Sequence, residues 1–306
     1  MDVLVTGVQG FVGRHLVREL KQAGHVVLGL GSGGSAGEEL SVDYYRAHDM
    51  TKPLPDLPAV DAVVHLAALA AVGPSFGSPQ QYINTNSSMV TNLGEYLLKK
   101  SPQTLVLLIS SGAVYSSSAA MPIREDGVLG HGSPYVVSKI LTEHQAAYYA
   151  GRGGRWMVAR PFNHFGPGQA SGFLLPDLYD GLTQAERTNG DRFMTGDLTT
   201  SRDYTDVRDV VRAYRLLLES DLQNLTTVNV CSGTATTGEE LLAVLRSCEV
   251  GRTVETVLDE ARVRPNDPKQ LFGSPDKLRH LTGWEPTISL NQTVRDFVEF
   301  RRGAKD

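Results

Sequence analysis

Residues 3–13 read VLVTGVQGFVG, a short apolar run followed by glycines at positions 7, 10 and 13. In a turn from a strand into a helix, glycines with this spacing let a diphosphate approach the backbone amides at the positive end of the helix. The last glycine also lets the helix pack closely on the sheet. The same spacing can arise in a tight turn that binds nothing. Its place at the start of a strand, helix and strand pattern predicts a dinucleotide-binding turn.

Apolar runs alternate with amphipathic segments through the first half of the chain. Apolar residues recur at helical spacing just after the first glycines, and the segment 80–99 repeats this pattern. The runs between such segments predict buried strands at 3–5, 26–30, 62–66, 105–109 and 156–159. Regular alternation of strand and helix predicts an α/β fold, a Rossmann-type doubly wound parallel sheet with helices on both faces.

A second, smaller lobe is predicted beyond Arg160, where the pattern becomes less regular and rich in Gly and Pro. A helix is expected at 173–187, whereas a helix at 207–219 and a strand at 226–230 return the chain to the sheet. Further helices are expected at 238–246, 275–281 and 292–302. We therefore predict a dinucleotide-binding Rossmann domain formed by 1–163 and 203–234. The discontinuous, mixed α/β substrate lobe would comprise 164–202 and 235–306.

Composition excludes several classes of protein. The 306 residues are 41% hydrophobic with 31 glycines, which is typical of a globular chain and not of a disordered or collagen-like one. The 29 Lys+Arg and 34 Asp+Glu give a formal net charge of -5, which disfavours nucleic acid or an anionic membrane as the main partner. The sequence shows neither an 18-residue apolar stretch nor a basic N-terminal leader, so neither a membrane span nor secretion is expected.

Cysteine usage indicates a reducing compartment. Cys231 and Cys248 are the only cysteines, and the sequence has no CxxC pair and no Cys/His cluster. Neither a disulfide framework nor a thiolate zinc site is expected, so no metal is predicted. The expected location is the cytoplasm.

A tyrosine and a lysine share one face of a predicted helix that opens at SPYVVSK, residues 133–139. The i, i+4 spacing places Tyr135 and Lys139 one turn apart. A phenol with a pKa near ~10 carries protons poorly at neutral pH unless a nearby ammonium stabilises the phenolate. An ordinary amphipathic helix can show the same pattern. Ser110 and Ser111, at the end of the preceding strand, complete a candidate site.

The end of the second predicted strand bears on the choice of cofactor. A carboxylate there would accept from the ribose 2′-OH of NAD, but the strand ends in Gly31-Ser32-Gly33-Gly34. No obvious arginine for a 2′-phosphate stands there either. Backbone amides and Ser32 could hold that phosphate, which favours NADP over NAD. Asp49 follows the candidate third strand, where it would meet the adenine or serve as a solvated turn residue.

Six segments resemble the extended short-chain dehydrogenase/reductase superfamily, the NAD-dependent epimerases and dehydratases. They are TGVQGFVG (6–13), HLAA (65–68), SSGAVY (110–115), YVVSK (135–139), RPFNHFGPGQ (160–169) and RDYTDVRDVVRAY (202–214). The resemblance implies that Ser111 hydrogen-bonds the reacting oxygen, Tyr135 exchanges its proton, and Lys139 holds the nicotinamide ribose. Asn86 would support the backbone. The expected cofactor contacts are Gly7, Gly10, Phe11, Val12, Gly13, Ser32, Asp49, Met50, Leu66, Ala67, Ala68, Tyr135, Lys139 and Pro161.

The later segments resemble the branch that handles GDP-linked 6-deoxyhexoses. Dehydratases of this branch carry an acid just after the catalytic Ser or Thr, and GDP-fucose synthases carry a Cys, whereas this chain has Gly112 and Ala113. The resemblance therefore implies NAD(P)H-dependent reduction of the C4 ketone of a nucleotide-linked 4-keto-6-deoxyhexose. The implied reaction converts GDP-4-keto-6-deoxy-D-mannose to GDP-D-rhamnose, as in the GDP-4-keto-6-deoxy-D-mannose reductases. The expected substrate contacts are Ser111, Asn163, Arg202 and Arg264.

Two other functions stay open. A nucleotide-sugar C4 epimerase would use the same Ser, Tyr and Lys but keep NAD tightly bound. A catalytically silent, cofactor-sensing protein on the same fold is the second alternative. The resemblance also implies a homodimer formed through helices near 85–99 and 134–150.

Overall fold

A computed structural model describes residues 1–35, 40–263 and 268–303. The strands are β1 (Asp2–Thr6), β2 (Val26–Gly31), β3 (Tyr44–Ala47), β4 (Ala62–His65), β5 (Leu105–Ile109), β6 (Arg155–Pro161), β7 (Asn163–Phe165), β8 (Arg192–Thr195), β9 (Ser201–Asp206), β10 (Thr227–Val230), β11 (Ala235–Thr237), β12 (Glu255–Leu258) and β13 (Gln270–Leu271). The α-helices are α1 (Phe11–Gln22), α2 (Val72–Ser75), α3 (Pro79–Lys100), α4 (Pro134–Gly151), α5 (Leu174–Arg187), α6 (Val207–Glu219), α7 (Gly238–Ser247), α8 (Asp276–Thr282) and α9 (Leu290–Gly303). Short 3-10 helices cover Gly112–Val114 and Glu260–Arg262.

Seven parallel strands form the central sheet in the order β10-β6-β5-β4-β1-β2-β3. The chain starts in the middle of the sheet, adds β2 and β3 on one side, and then crosses to add β4, β5, β6 and β10 on the other. The reversal next to β1 creates a crevice at the carboxyl ends of the strands, where open α/β sheets bind ligands. The predicted doubly wound Rossmann-type sheet is confirmed.

Two apolar layers cover the sheet. On one face, α1 and α6 pack with Leu16, Leu20 and Leu217 fully buried. On the other face, α3 and α4 pack side by side, and Leu93 of α3 and Trp156 of β6 are buried in the same apolar cluster. Strands β1, β4 and β5 are covered on both sides, which explains why their sequences are nearly continuous apolar runs.

The smaller lobe has its own sheet and core. Strands β11, β9 and β13 pair in that order and β7 joins β9, while β8 pairs with β12. A third apolar cluster forms among α5, α7 and α9, with Leu182 and Phe297 fully buried. Helix α8 packs instead on the Rossmann core, through Leu278 and the nearby Trp284. The domain boundaries stay a prediction. Helix α8 lies in the part of the chain predicted to form the small lobe, but it packs on the Rossmann core.

Carboxylates at the start of α6 connect the two lobes. Asp206 caps α6 by accepting from the Arg208 amide at 2.7 Å, and it also accepts from the Thr293 hydroxyl of α9 at 2.7 Å. Asp209 accepts from the backbone amides of Thr287 and Ile288. Buried carboxylates that are fully hydrogen-bonded hold such junctions in one geometry. The lobe is therefore fixed over the carboxyl edge of the large sheet.

Candidate active site

The glycine turn lies between β1 and α1, as its sequence predicts. Gly7 has φ +67°, and a Cβ there would lie 2.9 Å from the Ala67 amide nitrogen. A Cβ on Gly13 would lie 2.5 Å from the carbonyl oxygens of Gly7 and Val8. Gly10 precedes α1 with no side-chain cap, and the first helical turn contains no acid. The positive end of α1 is thus left for an anion, which fits the diphosphate of a dinucleotide.

A buried threonine and histidine tie β1 to β4 beside this turn. The Thr6 hydroxyl and His65 Nδ1 are hydrogen-bonded at 2.9 Å, and the Ala67 amide donates to the same hydroxyl at 3.2 Å. Burial, assisted by Lys139, lowers the pKa of His65 to about 3. His65 therefore stays neutral and structural at physiological pH. This pairing places Leu66 and Ala67, two of the expected cofactor contacts, against Gly7; Ala68 is the next residue along the chain.

Gln9 and Tyr45 hold the loop after β2, a role that the sequence did not reveal. The Gly33 amide donates to Gln9 Oε1 at 3.1 Å, Gln9 Nε2 donates to the Ser35 carbonyl, and the Tyr45 hydroxyl donates to the Gly33 carbonyl. Ser32 is exposed. Of the amides expected to hold a 2′-phosphate, that of Gly33 is therefore already engaged. The sequence feature that could have indicated this role is Gln9, a long polar side chain between the first two glycines of the turn.

Asp49 and Met50 lie beyond β3, at the far end of the crevice from Tyr135. Asp49 accepts from the Thr51 hydroxyl at 2.7 Å and the Thr51 amide at 2.9 Å, and these bonds lower the pKa of Asp49. This is the geometry of an exposed turn aspartate. Met50 is buried, and its carbonyl accepts from Asn92. Their contact with adenine stays a prediction.

Ser111, Tyr135 and Lys139 come together at the ends of β5 and the start of α4. Ser133 caps α4 by accepting from the Val136 amide at 3.2 Å, which fixes the first turn that carries Tyr135. Burial raises the pKa of Tyr135, and hydrogen bonding with the Ser111 side chain opposes part of that increase. A phenol held this way is protonated at neutral pH and is ready to donate.

Lys139 is buried one turn further along α4. Its ammonium donates to the Ile109 carbonyl at 2.8 Å and lies 6.0 Å from the centre of the Tyr135 ring. Burial lowers the pKa of Lys139 to about 8, and the Glu143 carboxylate opposes that decrease. Lys139 is therefore charged at neutral pH, but it begins to lose its proton only slightly above neutral pH.

Asn86 lies on α3 and braces the site from the side. Its amide oxygen accepts from the Leu69 amide at 2.8 Å, and its nitrogen donates to the Ser138 hydroxyl at 2.9 Å. Ser138 in turn donates to the Tyr135 carbonyl at 2.7 Å. The side chain thus ties the loop after β4 to the first turns of α4, consistent with backbone support.

Two of the expected substrate contacts, Asn163 and Arg202, lie on strands of the small sheet. Asn163 is exposed at the start of β7 and pairs in register with Tyr204 on β9. Arg202, also on β9, is half-buried and donates to the Ser201 carbonyl at 2.7 Å. Pro161 ends β6 and is buried. Arg264 lies outside the described residues.

The described residues also bear on metal binding and on membrane spanning. No group of three or more His, Cys, Asp or Glu among them could hold a metal ion. Within the same residues, no helix is long and apolar enough to cross a membrane. Cys231 and Cys248 are free thiols.

Comparison with known proteins places the chain in a family. Residues 3–231 match the NAD dependent epimerase/dehydratase family. The chain is 34% identical over 304 residues to GDP-6-deoxy-D-mannose reductase of Pseudomonas aeruginosa, covering 96% of this chain and 94% of that protein. It is 30% identical over 325 residues to UDP-glucose 4-epimerase of Bacillus subtilis, covering 97% and 95%.

A solved structure shows the same architecture. The protein RMD of Pseudomonas aeruginosa, complexed with NADPH, superposes with a TM-score of 0.85 at 30% identity, covering 99% of this chain and 100% of that chain. The resemblance drawn from the sequence motifs is therefore confirmed over the whole length. The chain belongs to the NAD dependent epimerase/dehydratase family, and it is an NAD(P)-dependent enzyme.

Proposed function

We propose that this enzyme reduces the C4 ketone of a nucleotide-linked 4-keto-6-deoxyhexose, converting GDP-4-keto-6-deoxy-D-mannose to GDP-D-rhamnose. The observation that carries the proposal is the turn after Ser111. A Cβ on Gly112 would lie 2.8 Å from the Phe162 ring, and Ala113 follows with a methyl group. Residues 112–114 therefore supply neither an acid for dehydration nor a thiol for ring epimerisation. Similarity to the Pseudomonas reductase supports the same substrate class.

The side chains divide the work in this proposal. Reduced nicotinamide supplies the hydride when it is bound. Tyr135 donates its proton to the C4 oxygen as negative charge develops there, and Ser111 hydrogen-bonds the same oxygen. Lys139 holds the nicotinamide ribose and stabilises the phenolate that remains. Arg202 and Asn163 bind the diphosphate and sugar, and their charge and hydrogen bonds fix the orientation of the ketone.

A substrate panel tests the reaction. We expect purified protein incubated with 4-keto-6-deoxy sugars linked to GDP, UDP or dTDP to consume reduced cofactor stoichiometrically, fastest with the GDP-linked 4-keto-6-deoxymannose. The measurement is the loss of absorbance of NADPH or NADH, with product identified by mass. No consumption with any member of the panel contradicts the proposal.

C4 epimerisation is the second candidate, favoured by the 30% identity to UDP-glucose 4-epimerase of Bacillus subtilis. An epimerase returns the hydride to the same sugar and so keeps its cofactor. It would purify with tightly held NAD and convert UDP-glucose without net consumption of cofactor. Heat denaturation of the purified protein distinguishes the two functions, because it should release bound NAD from an epimerase and none from a reductase.

We infer a preference for NADP in the same assay. The loop 31–35 after β2 contains no acid, and Ser32 is exposed in it. An exposed hydroxyl in a segment without an acid favours a 2′-phosphate over a ribose hydroxyl. Turnover with NADPH is expected to exceed turnover with NADH, and equal or reversed rates would contradict the preference.

We also propose that the protein is a homodimer through α3 and α4. Val137, Leu141 and Tyr148 are exposed on one face of α4, and such an apolar face is disfavoured in water. Light scattering should give the mass of a dimer, and Leu141→Glu should give a monomer. Val26→Glu, at an equally exposed position at the start of β2, is the control that should stay dimeric. A monomeric wild type rejects the proposal.

A further inference from the structure

Three successive residues at the end of β5 are each held by a side chain of α4. The Ile109 carbonyl accepts from Lys139, the Ser110 hydroxyl donates to Glu143, and the Ser111 side chain hydrogen-bonds with Tyr135. Residues 135, 139 and 143 are spaced by four, so they lie on one face of the helix. The end of β5 and the face of α4 are thus matched residue by residue.

Glu143 is itself fixed by an arginine on β6. Arg160 Nε donates to Glu143 Oε1 at 3.0 Å, and Arg160 Nη2 donates to Oε2 at 2.7 Å. The Arg160 and Glu143 side chains are only 8% and 12% exposed, respectively. Arg160 Nη1 also donates to the Tyr115 hydroxyl at 2.9 Å and the Glu125 carbonyl at 3.0 Å. A two-pronged Arg–carboxylate pair of this kind fixes geometry as well as charge.

The buried group around Glu143 contains one carboxylate and two cations. Glu143 is the carboxylate between two buried cations, Lys139 on its own helix and Arg160 on β6. Removing one member of a buried charged group leaves the others uncompensated.

We propose that Glu143 is a positioning residue, which fixes Ser110 and thereby Ser111 against Tyr135, and which keeps Lys139 charged. Its role in turnover rests on the proposed reduction, whereas its effect on Lys139 does not depend on the substrate.

The groups that face Lys139 make the effect specific. Tyr135 and Glu143 face it from α4, neutral His65 faces it from β4, and the Ile109 carbonyl faces it from β5. Arg160 acts on it through Glu143, and the uncharged Tyr115 phenol and the Glu125 side chain lie on the far side of Arg160. Within this set, Glu143 raises the pKa of Lys139 while burial lowers it to about 8.

The test is the titration of Lys139 in the folded protein, followed by NMR of ε-13C-labelled lysine. The sequence has eight lysines, and the Lys139 signal is assigned by its loss in Lys139→Met. In Glu143→Gln, the midpoint of Lys139 should fall by about one pH unit, because an attractive charge is lost and Arg160 is left unpaired. In Arg160→Gln, the midpoint should rise by up to about one unit, because Glu143 then faces Lys139 alone.

The opposite signs distinguish positioning from general damage. Glu143→Asp keeps the charge, so the Lys139 midpoint should stay near that of the wild type even if the shorter side chain weakens folding. Glu95→Gln, which breaks an exposed pair with Arg152 on the neighbouring helix, is the matched control and should leave Lys139 unmoved. Unchanged midpoints, or shifts of the same sign in Glu143→Gln and Arg160→Gln, overturn the proposal.

Turnover provides the second readout. With an active substrate, Glu143→Gln should lower kcat about tenfold or more with little change in KM, and it should move the alkaline limb of the pH profile downward together with the Lys139 midpoint. If wild-type protein reduces no member of the panel, the proposed reaction fails, while the NMR shifts still decide the role of Glu143. If the alkaline limb of the pH profile does not move with the Lys139 midpoint, Glu143 does not affect catalysis through the charge of Lys139.

Discussion

Tyr135→Phe is expected to lower kcat by a factor on the order of 10² to 10⁴, the range supplied by a positioned general acid. The variant removes a single oxygen from a ring that is 7% exposed, so the shape of the site and the fold are retained. KM for the sugar and the dissociation constant of the cofactor should change little, because the phenol acts on charge that develops during the reaction. Steady-state oxidation of NADPH with the best panel substrate measures the effect.

Tyr44→Phe is the matched control for this variant. Tyr44 is 38% exposed on β3, outside the proposed catalytic group, and its kcat should equal that of the wild type. Turnover that persists unchanged in Tyr135→Phe would show that another group donates the proton.

Gly13→Ala should weaken binding of the cofactor about 100-fold. The added Cβ would lie 2.5 Å from two carbonyl oxygens of the turn, so the backbone of residues 7–8 must move away from the start of α1. Loss of two charge-assisted amide contacts to the diphosphate, each worth about 1.5 kcal/mol, corresponds to roughly two factors of ten in affinity. Fluorescence titration with NADPH measures the dissociation constant.

Gly151→Ala provides the comparison, because a Cβ at that position meets nothing within 4 Å. It should bind NADPH as the wild type does. Thermal unfolding of both variants shows whether Gly13→Ala is folded, and binding of NADPH by a folded Gly13→Ala with wild-type affinity would contradict the assigned role of the turn.

The order of elements followed from the sequence because local patterns carry it. The helix predicted at 207–219 is α6 (Val207–Glu219), and the one predicted at 173–187 differs from α5 by one residue. The hydrophobic pattern of the sequence did not predict the short strands of the small lobe. Strands β7, β11 and β13 have three residues or fewer, too short for a hydrophobic period to stand out.

What the sequence determined alone is the set of features built from neighbouring residues. The spacing of Gly7, Gly10 and Gly13 dictates a turn that a side chain would block, and the spacing of Tyr135 and Lys139 dictates a shared helix face. These depend on backbone sterics and helical period, which act over a few residues. The family resemblance followed from the same short segments.

What only the tertiary structure decided is which distant side chains meet. Gln9 reaches the loop after β2, and Glu143 meets Arg160 and Ser110. The Ser110 hydroxyl is part of the contact that aligns β5 with α4. Such contacts depend on the order in which parallel strands pair, because that order brings the ends of β1, β4, β5 and β6 to one edge of the sheet. Strand order is a property of the whole chain, and no local spacing encodes it.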